Sequence, residues 1–168
     1  MKQRFYFDTS VFGGVFDKEF EEISLLLFER VKLGKIVCIF SDLTETELVN
    51  APDNVRTFFK SLPIGYLERA VVNDEILTLA KKYIEEKVVG QTSFDDCVHI
   101  ATATINKADI LVSWNFKHIV NVYRIRGYNS VNLPQTGQRR TPQPRTPSGP
   151  HAAHGPGQRW VSRSARQR

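Results

Sequence analysis

Arg4-Phe5-Tyr6-Phe7-Asp8-Thr9-Ser10 is the stretch on which the fold turns. Its aromatic residues read as a short buried strand, and an acid followed by two hydroxyl residues reads as a turn or helix cap. Phe20, Ile23, Leu27 and Val31 then fall at helical spacing, and Gly34 supplies the stop. Ile36–Phe40 is a continuous apolar run of the kind buried in a parallel sheet, and it feeds a helix that starts at Asp42 and ends near Pro52. A short helix is expected over Val55–Leu62. A longer one is expected to be capped by Asn73, with an apolar stripe of Ile76, Leu79, Ala80, Tyr83 and Ile84, and to break at Gly90. The helical pattern resumes from Ser93 to Asn106, and Ile110–Trp114 makes a third apolar strand that runs into Asn115. Alternating strands and helices predict an α/β fold with a mainly parallel sheet.

Of the 168 residues 41% are hydrophobic, enough for one domain with a core. The net charge of +5 invites a nucleic-acid reading until its position is noted. Residues 134–168 hold seven arginines and no acid, so residues 1–133 carry 16 basic against 18 acidic side chains. The basic character therefore belongs to the tail. With six prolines, four glycines and almost no large apolar residue beyond Trp160 and Val161, residues 134–168 are expected to be a disordered Arg/Pro/Gly-rich tail after a domain at 1–133. Cys38 and Cys97 form no CxxC or metal-finger spacing. The amino terminus lacks the apolar stretch of a signal peptide, and no segment has the ~18–20 apolar residues that span a bilayer. A reduced, cytoplasmic protein is expected.

Ligands in open α/β sheets gather at the carboxyl ends of parallel strands. Asp8 follows the first strand, Asn115 follows the third, Glu47 lies in the helix after the second, and Asp96 lies in the first turn of the helix from Ser93. Three carboxylates and an amide are thus expected to meet. Clustered carboxylates repel one another unless a cation neutralises them, and hard oxygen ligands select Mg²⁺ or Mn²⁺, whose chemistry suits phosphodiester hydrolysis. Each residue also has a structural reading: Asp8 as a turn or cap, Asp96 as the last member of a Ser93-x-x-Asp96 capping box, and Glu45 and Glu47 as charges on an exposed helix face.

FDTSVFGG after the first strand, Glu47-Leu48 after the second, DDCVHIATA in a later helix and LVSWNFKHIVN after another strand resemble, in order, the motifs of PIN-domain proteins, in particular VapC-like toxins. The likeness runs from about Arg4 to Leu133. It implies a three-layer α/β/α domain, Mg²⁺- or Mn²⁺-dependent endoribonuclease activity on RNA, a cognate antitoxin as partner, and dimer formation as in many members. It places the family's acidic positions on Asp8, Glu47 and Asp96, rather than Asp95, with Asn115 at the fourth, where many members have Asp. Asp8, Glu47 and Asp96 would hold the metal, and Thr9 or Ser10 would orient Asp8. His99, one turn after Asp96, is read either as a contact to the scissile phosphate or as a packed helix residue. Lys117, His118, Arg124 and Arg126 are read either as phosphate contacts or as solvated side chains. Members commonly close with a further strand, and the tail stands in its place here, so β-edge exposure is expected. Two other readings stand beside the nuclease. Asn115 motivates a noncatalytic scaffold that binds RNA or a protein. A phosphatase with an aspartyl nucleophile at Asp8 needs a second Asp two residues on, and position 10 is Ser.

Overall fold

The computed structural model describes residues 2–86, 94–116, 119, 122–136 and 143–144. Strands β1 (Gln3–Phe7), β2 (Ile36–Ser41), β3 (Leu67–Ala70), β4 (Ile110–Val112) and β5 (Gln143–Pro144) form one sheet in the order β3-β2-β1-β4-β5, with every neighbouring pair parallel. The chain builds from β1 through β2 to β3, then returns to lay β4 on the other side of β1. That reversal leaves a crevice outside the carboxyl ends of β1 and β4. Phe7 is in register with Val112, so Asp8 and Ser113 emerge side by side, and the Asp8 amide donates to the Val112 carbonyl at 3.2 Å.

Both faces of the sheet are covered, which is why its strands read as unbroken apolar runs. Strand alternation sorts them. Phe5, Phe7, Ile36, Cys38, Phe40, Ile110 and Val112 point to one core, with Phe12 of α1 (Thr9–Gly14), Phe28 of α2 (Glu21–Lys32), Leu48 of α3 (Asp42–Val49) and Val55 of α4 (Asp53–Lys60). Tyr6, Ile39 and Leu111 point to the other, with Ile76 and Tyr83 of α5 (Asp74–Glu85), Ile100 and Ala101 of α6 (Phe94–Ile105) and Tyr128 of α7 (Val122–Thr136). The result is the expected α/β/α layering.

Caps fix the helix starts near the crevice. The Asp8 carboxylate accepts from the Ser10 amide at the head of α1, Ser41 and Thr44 form a reciprocal capping box at α3, and Asn73 Oδ1 accepts from the Ile76 amide at 3.0 Å. Gly34 ends the α2 region at φ +63°, where a Cβ would strike the Tyr66 ring.

Four features depart from the sequence reading. Strand β3 was not expected, because Leu67-Glu68-Arg69-Ala70 pairs with β2 alone and carries charged residues. Strand β4 stops at Val112, which frees Ser113 and Trp114 for side-chain contacts. Helix α7 lies where no element was expected; Ile125, Tyr128, Val131 and Asn132 are buried, and Tyr83 donates to Asn132 Oδ1 at 2.8 Å, so tertiary packing overrides a weak local pattern. Finally, secondary structure extends past Leu133, where the domain was expected to end. Helix α7 continues to Thr136, and Gln143–Pro144 pairs with Ile110–Leu111. The open edge of β4 offers hydrogen-bonding groups to any extended segment within reach, and residues 143–144 supply one. Gly90, Ser93, Lys117, His118, the Arg124 side chain and residues 137–142 and 145–168 lie outside the described residues.

Candidate active site

Asp8 sits at the bottom of the crevice, only 3% exposed. Its Oδ1 accepts from the Ser10 amide at 2.8 Å and from the Ser10 hydroxyl, and its Oδ2 accepts from the Ser113 hydroxyl. Ser10 is fixed in turn, since its Oγ accepts from the Trp114 amide at 2.8 Å. The Trp114 indole stacks on Phe20 at 5.1 Å and donates to Ser24 at 3.0 Å. It packs so closely on Gly14 that a Cβ there would collide with the ring. Burial pushes the Asp8 carboxyl above its ordinary value; the charge of His99 and the bonds from Ser10 and Ser113 oppose that only in part.

Asn115 continues the same line. Its amide donates to Ser113 Oγ at 2.9 Å, and its Nδ2 donates to Asp96 Oδ1 at 2.7 Å. Glu47 enters from the other side on α3, where its Oε2 accepts from the Thr9 hydroxyl and from His99 Nε2, the latter at 3.0 Å. Burial raises the Glu47 carboxyl, but the bond and charge of His99 and the Thr9 hydroxyl outweigh it and hold the group below its usual value. His99 is buried, which disfavours its charge, yet Tyr6, the Glu47 bond and the charges of Asp8 and Glu47 push it up to about 10.

A continuous set of bonds therefore links Asp96, Asn115, Ser113, Asp8 and Ser10, and Thr9, next in the chain to Asp8, carries it to Glu47. The four positions named from the sequence come together. The alternatives separate from them: Glu45 pairs with Arg69 at 2.7 Å, and Asp95 is exposed. Thr9 and Ser10 divide the orienting role between Glu47 and Asp8. His99 is not placed to meet a phosphate, because it is buried and both ring nitrogens are engaged, Nε2 on Glu47 and Nδ1 at 2.7 Å from the Tyr6 hydroxyl. Arg126 is exposed on α7. Sequence reasoning missed Ser113, Tyr6 and Ser41; their one signal is position, at or just beyond a strand's carboxyl end.

The donor set of Asp8, Glu47, Asp96 and the Asn115 amide oxygen is all oxygen, which suits a hard divalent cation in kind. Among the described residues, no three His, Cys, Asp or Glu side chains are arranged to hold a metal ion together. The carboxylates close instead on serine, threonine, histidine and asparagine donors. No helix among the described residues is long and apolar enough to cross a membrane.

A small, parallel α/β/α domain whose order reverses between β1 and β4, with acids at that reversal, has the VapC-like PIN fold. One similar solved structure is a chain in the crystal structure of VapBC2 from Rickettsia felis bound to a DNA fragment from their promoter. It matches with a TM-score of 0.50 at 15% identity, over 70% of this chain and 93% of that one. No protein-family model and no curated protein sequence matches the chain.

Proposed function

We propose that this protein is a divalent-metal-dependent endoribonuclease, the toxin of a toxin–antitoxin pair acting in the cytoplasm. The observation that carries the reading is the hydrogen-bonded line from Asp96 through Asn115 and Ser113 to Asp8 at the crevice between β1 and β4, with Thr9, the next residue in the chain, bonded to Glu47. Asp8, Glu47 and Asp96 would hold Mg²⁺ or Mn²⁺, which when bound would supply Lewis acidity to a phosphodiester. Ser10 and Ser113 keep the Asp8 carboxylate pointing into the crevice, and Thr9 and His99 do the same for Glu47. Asn115 holds Asp96 by its amide nitrogen, and its oxygen adds no charge. RNA is the substrate in this reading. The VapBC2 assembly supports a cognate antitoxin as the partner.

The test is cleavage of single-stranded RNA by the full chain with Mg²⁺ or Mn²⁺, against the same protein in EDTA and against Asp8→Asn. Cleavage should need the metal and fall at least about 100-fold in the variant, because even groups that only support a ligand carry 10–100-fold. Since burial disfavours the Asp8 carboxylate, the metal-free variant should melt no lower than the parent. Parent-like cleavage by Asp8→Asn, or cleavage in EDTA, defeats the assignment.

A second reading, a noncatalytic scaffold for RNA or protein, draws on Asn115 and on carboxylates that are closed on internal donors. An inactive parent that gains divalent-dependent cleavage with Asn115→Asp would favour it.

A further inference from the structure

His99 lies on α6 in a run of buried residues, Cys97 to Thr104, where an apolar side chain would be accommodated at lower desolvation cost. It is instead completely engaged. Nε2 donates to Glu47 Oε2 at 3.0 Å, and Nδ1 meets the hydroxyl of Tyr6, whose ring is fully buried on β1. The same Tyr6 hydroxyl stands 2.9 Å from Ser41 Oγ, which is itself fixed in the capping box at the head of α3. Glu47 lies on that helix, so the line Ser41–Tyr6–His99–Glu47 leaves from the N-cap of α3, crosses β1 and α6, and returns to α3 at Glu47.

We propose that His99 is a positioning residue for Glu47, and that Tyr6 and Ser41 fix the ring in the orientation that delivers the Glu47 carboxylate to the crevice. This rests on the metal-dependent reading above. Glu47 keeps 32% of its side chain accessible, and its backbone lies in the second turn of a helix that ends two residues later. A free glutamate there has several rotamers. The bond from Nε2 removes that choice, and it does so whichever way the proton lies between Tyr6 and Nδ1. The ring cannot turn, since Tyr6 occupies its other nitrogen and packs against it with centroids 5.9 Å apart. Ligand-orienting partners of this kind carry 10–100-fold in metal affinity.

The test measures Mn²⁺ binding to the full chain by calorimetry and by the spin-resonance signal of free Mn²⁺, with the melting temperature recorded for each protein. Tyr6→Phe keeps the buried ring and removes the hydroxyl, without touching Glu47. It should weaken Mn²⁺ binding about 10-fold. His99→Leu should weaken it further, up to about 100-fold. His99→Gln, which can still donate toward Glu47, should recover part of that loss, and adding Tyr6→Phe to His99→Leu should cost little more, because both act on the same ring. Parent-like Mn²⁺ affinity in Tyr6→Phe and His99→Leu, with only the melting temperature lowered, would show a packing role and overturn the proposal. Should His99→Leu not fold, Tyr6→Phe decides. A parent that binds no Mn²⁺ overturns this proposal together with the nuclease reading, whereas a parent that binds with variants that bind equally well overturns this one alone.

Discussion

The two faces of the sheet are built on opposite plans. On one, Phe7, Phe12 and Phe28 meet ring on ring at 5.2–6.3 Å, and Phe58 and Phe59 extend the array. On the other, alanines and cysteine let α6 pack closely, and a polar line of Tyr6, His99 and Ser41 runs through the core to Glu47. The aromatic face is organised by shape, because its phenylalanine rings have no directional partner to satisfy. The alanine face is organised by hydrogen bonds, and these are only as good as the distance between α6 and β1. The difference teaches that one side of the domain holds the sheet in place while the other aims a side chain.

The contrast can be broken by substitution on either side. The largest effect is expected on the aromatic face, where Phe28→Ala removes a ring packed against Phe7, Phe12 and Phe58 and should cost about 3–5 kcal/mol in urea unfolding. RNA cleavage by the molecules that remain folded should stay near the parent's rate. An intermediate effect is expected from Ala101→Leu, which overfills the fully buried α6 seam at a cost of about 1–3 kcal/mol. Here Mn²⁺ binding should weaken too, since pushing α6 from β1 moves His99 relative to Tyr6. Equal losses of stability with equal metal affinity in the two variants would erase the distinction between the faces.

The smallest effect is a slope. In EDTA, His99 is raised from 6.5 to about 10, so its share of stability is complete below pH 6.5 and is lost as pH rises toward 10. Glu47 is lowered, so its share is complete above its ordinary value of 4.5 and is lost as pH falls through the lowered one. The melting temperature of the metal-free parent should therefore decline between pH 6.5 and 10 more than that of His99→Gln. Parallel curves would mean that the imidazole carries no charge in the folded protein.

Much of this site was legible in the sequence because its members are tied to element boundaries. Asp8 had to fall at the carboxyl end of β1, and Asp96 in the first turn of α6, whatever the details of packing. What was illegible follows from distance along the chain. Ser113 reaches Asp8 across 105 residues, and Tyr6 reaches His99 across 93, so no local pattern marks either hydroxyl as part of the site. His99 stayed open between a phosphate contact and a packed helix residue for the same reason: helical spacing put it near Asp96, and only the position of β1 shows that its ring turns inward. Strand β3 and helix α7 escaped because charged residues on a one-sided strand, and glycine and asparagine within a helix, blur periodicity that tertiary contacts then restore.

By itself the sequence determined the alternation of strands and helices, the parallel sheet and the acids at its carboxyl edge, since hydrophobic period and caps act over a few residues. Tertiary structure decided that Glu45 turns to Arg69 while Glu47 meets His99, and that β4 finds an edge partner in Gln143–Pro144. Those outcomes depend on how β1, α3, α6 and β4 are spaced in three dimensions, and the covering of both faces of the sheet is what sets that spacing.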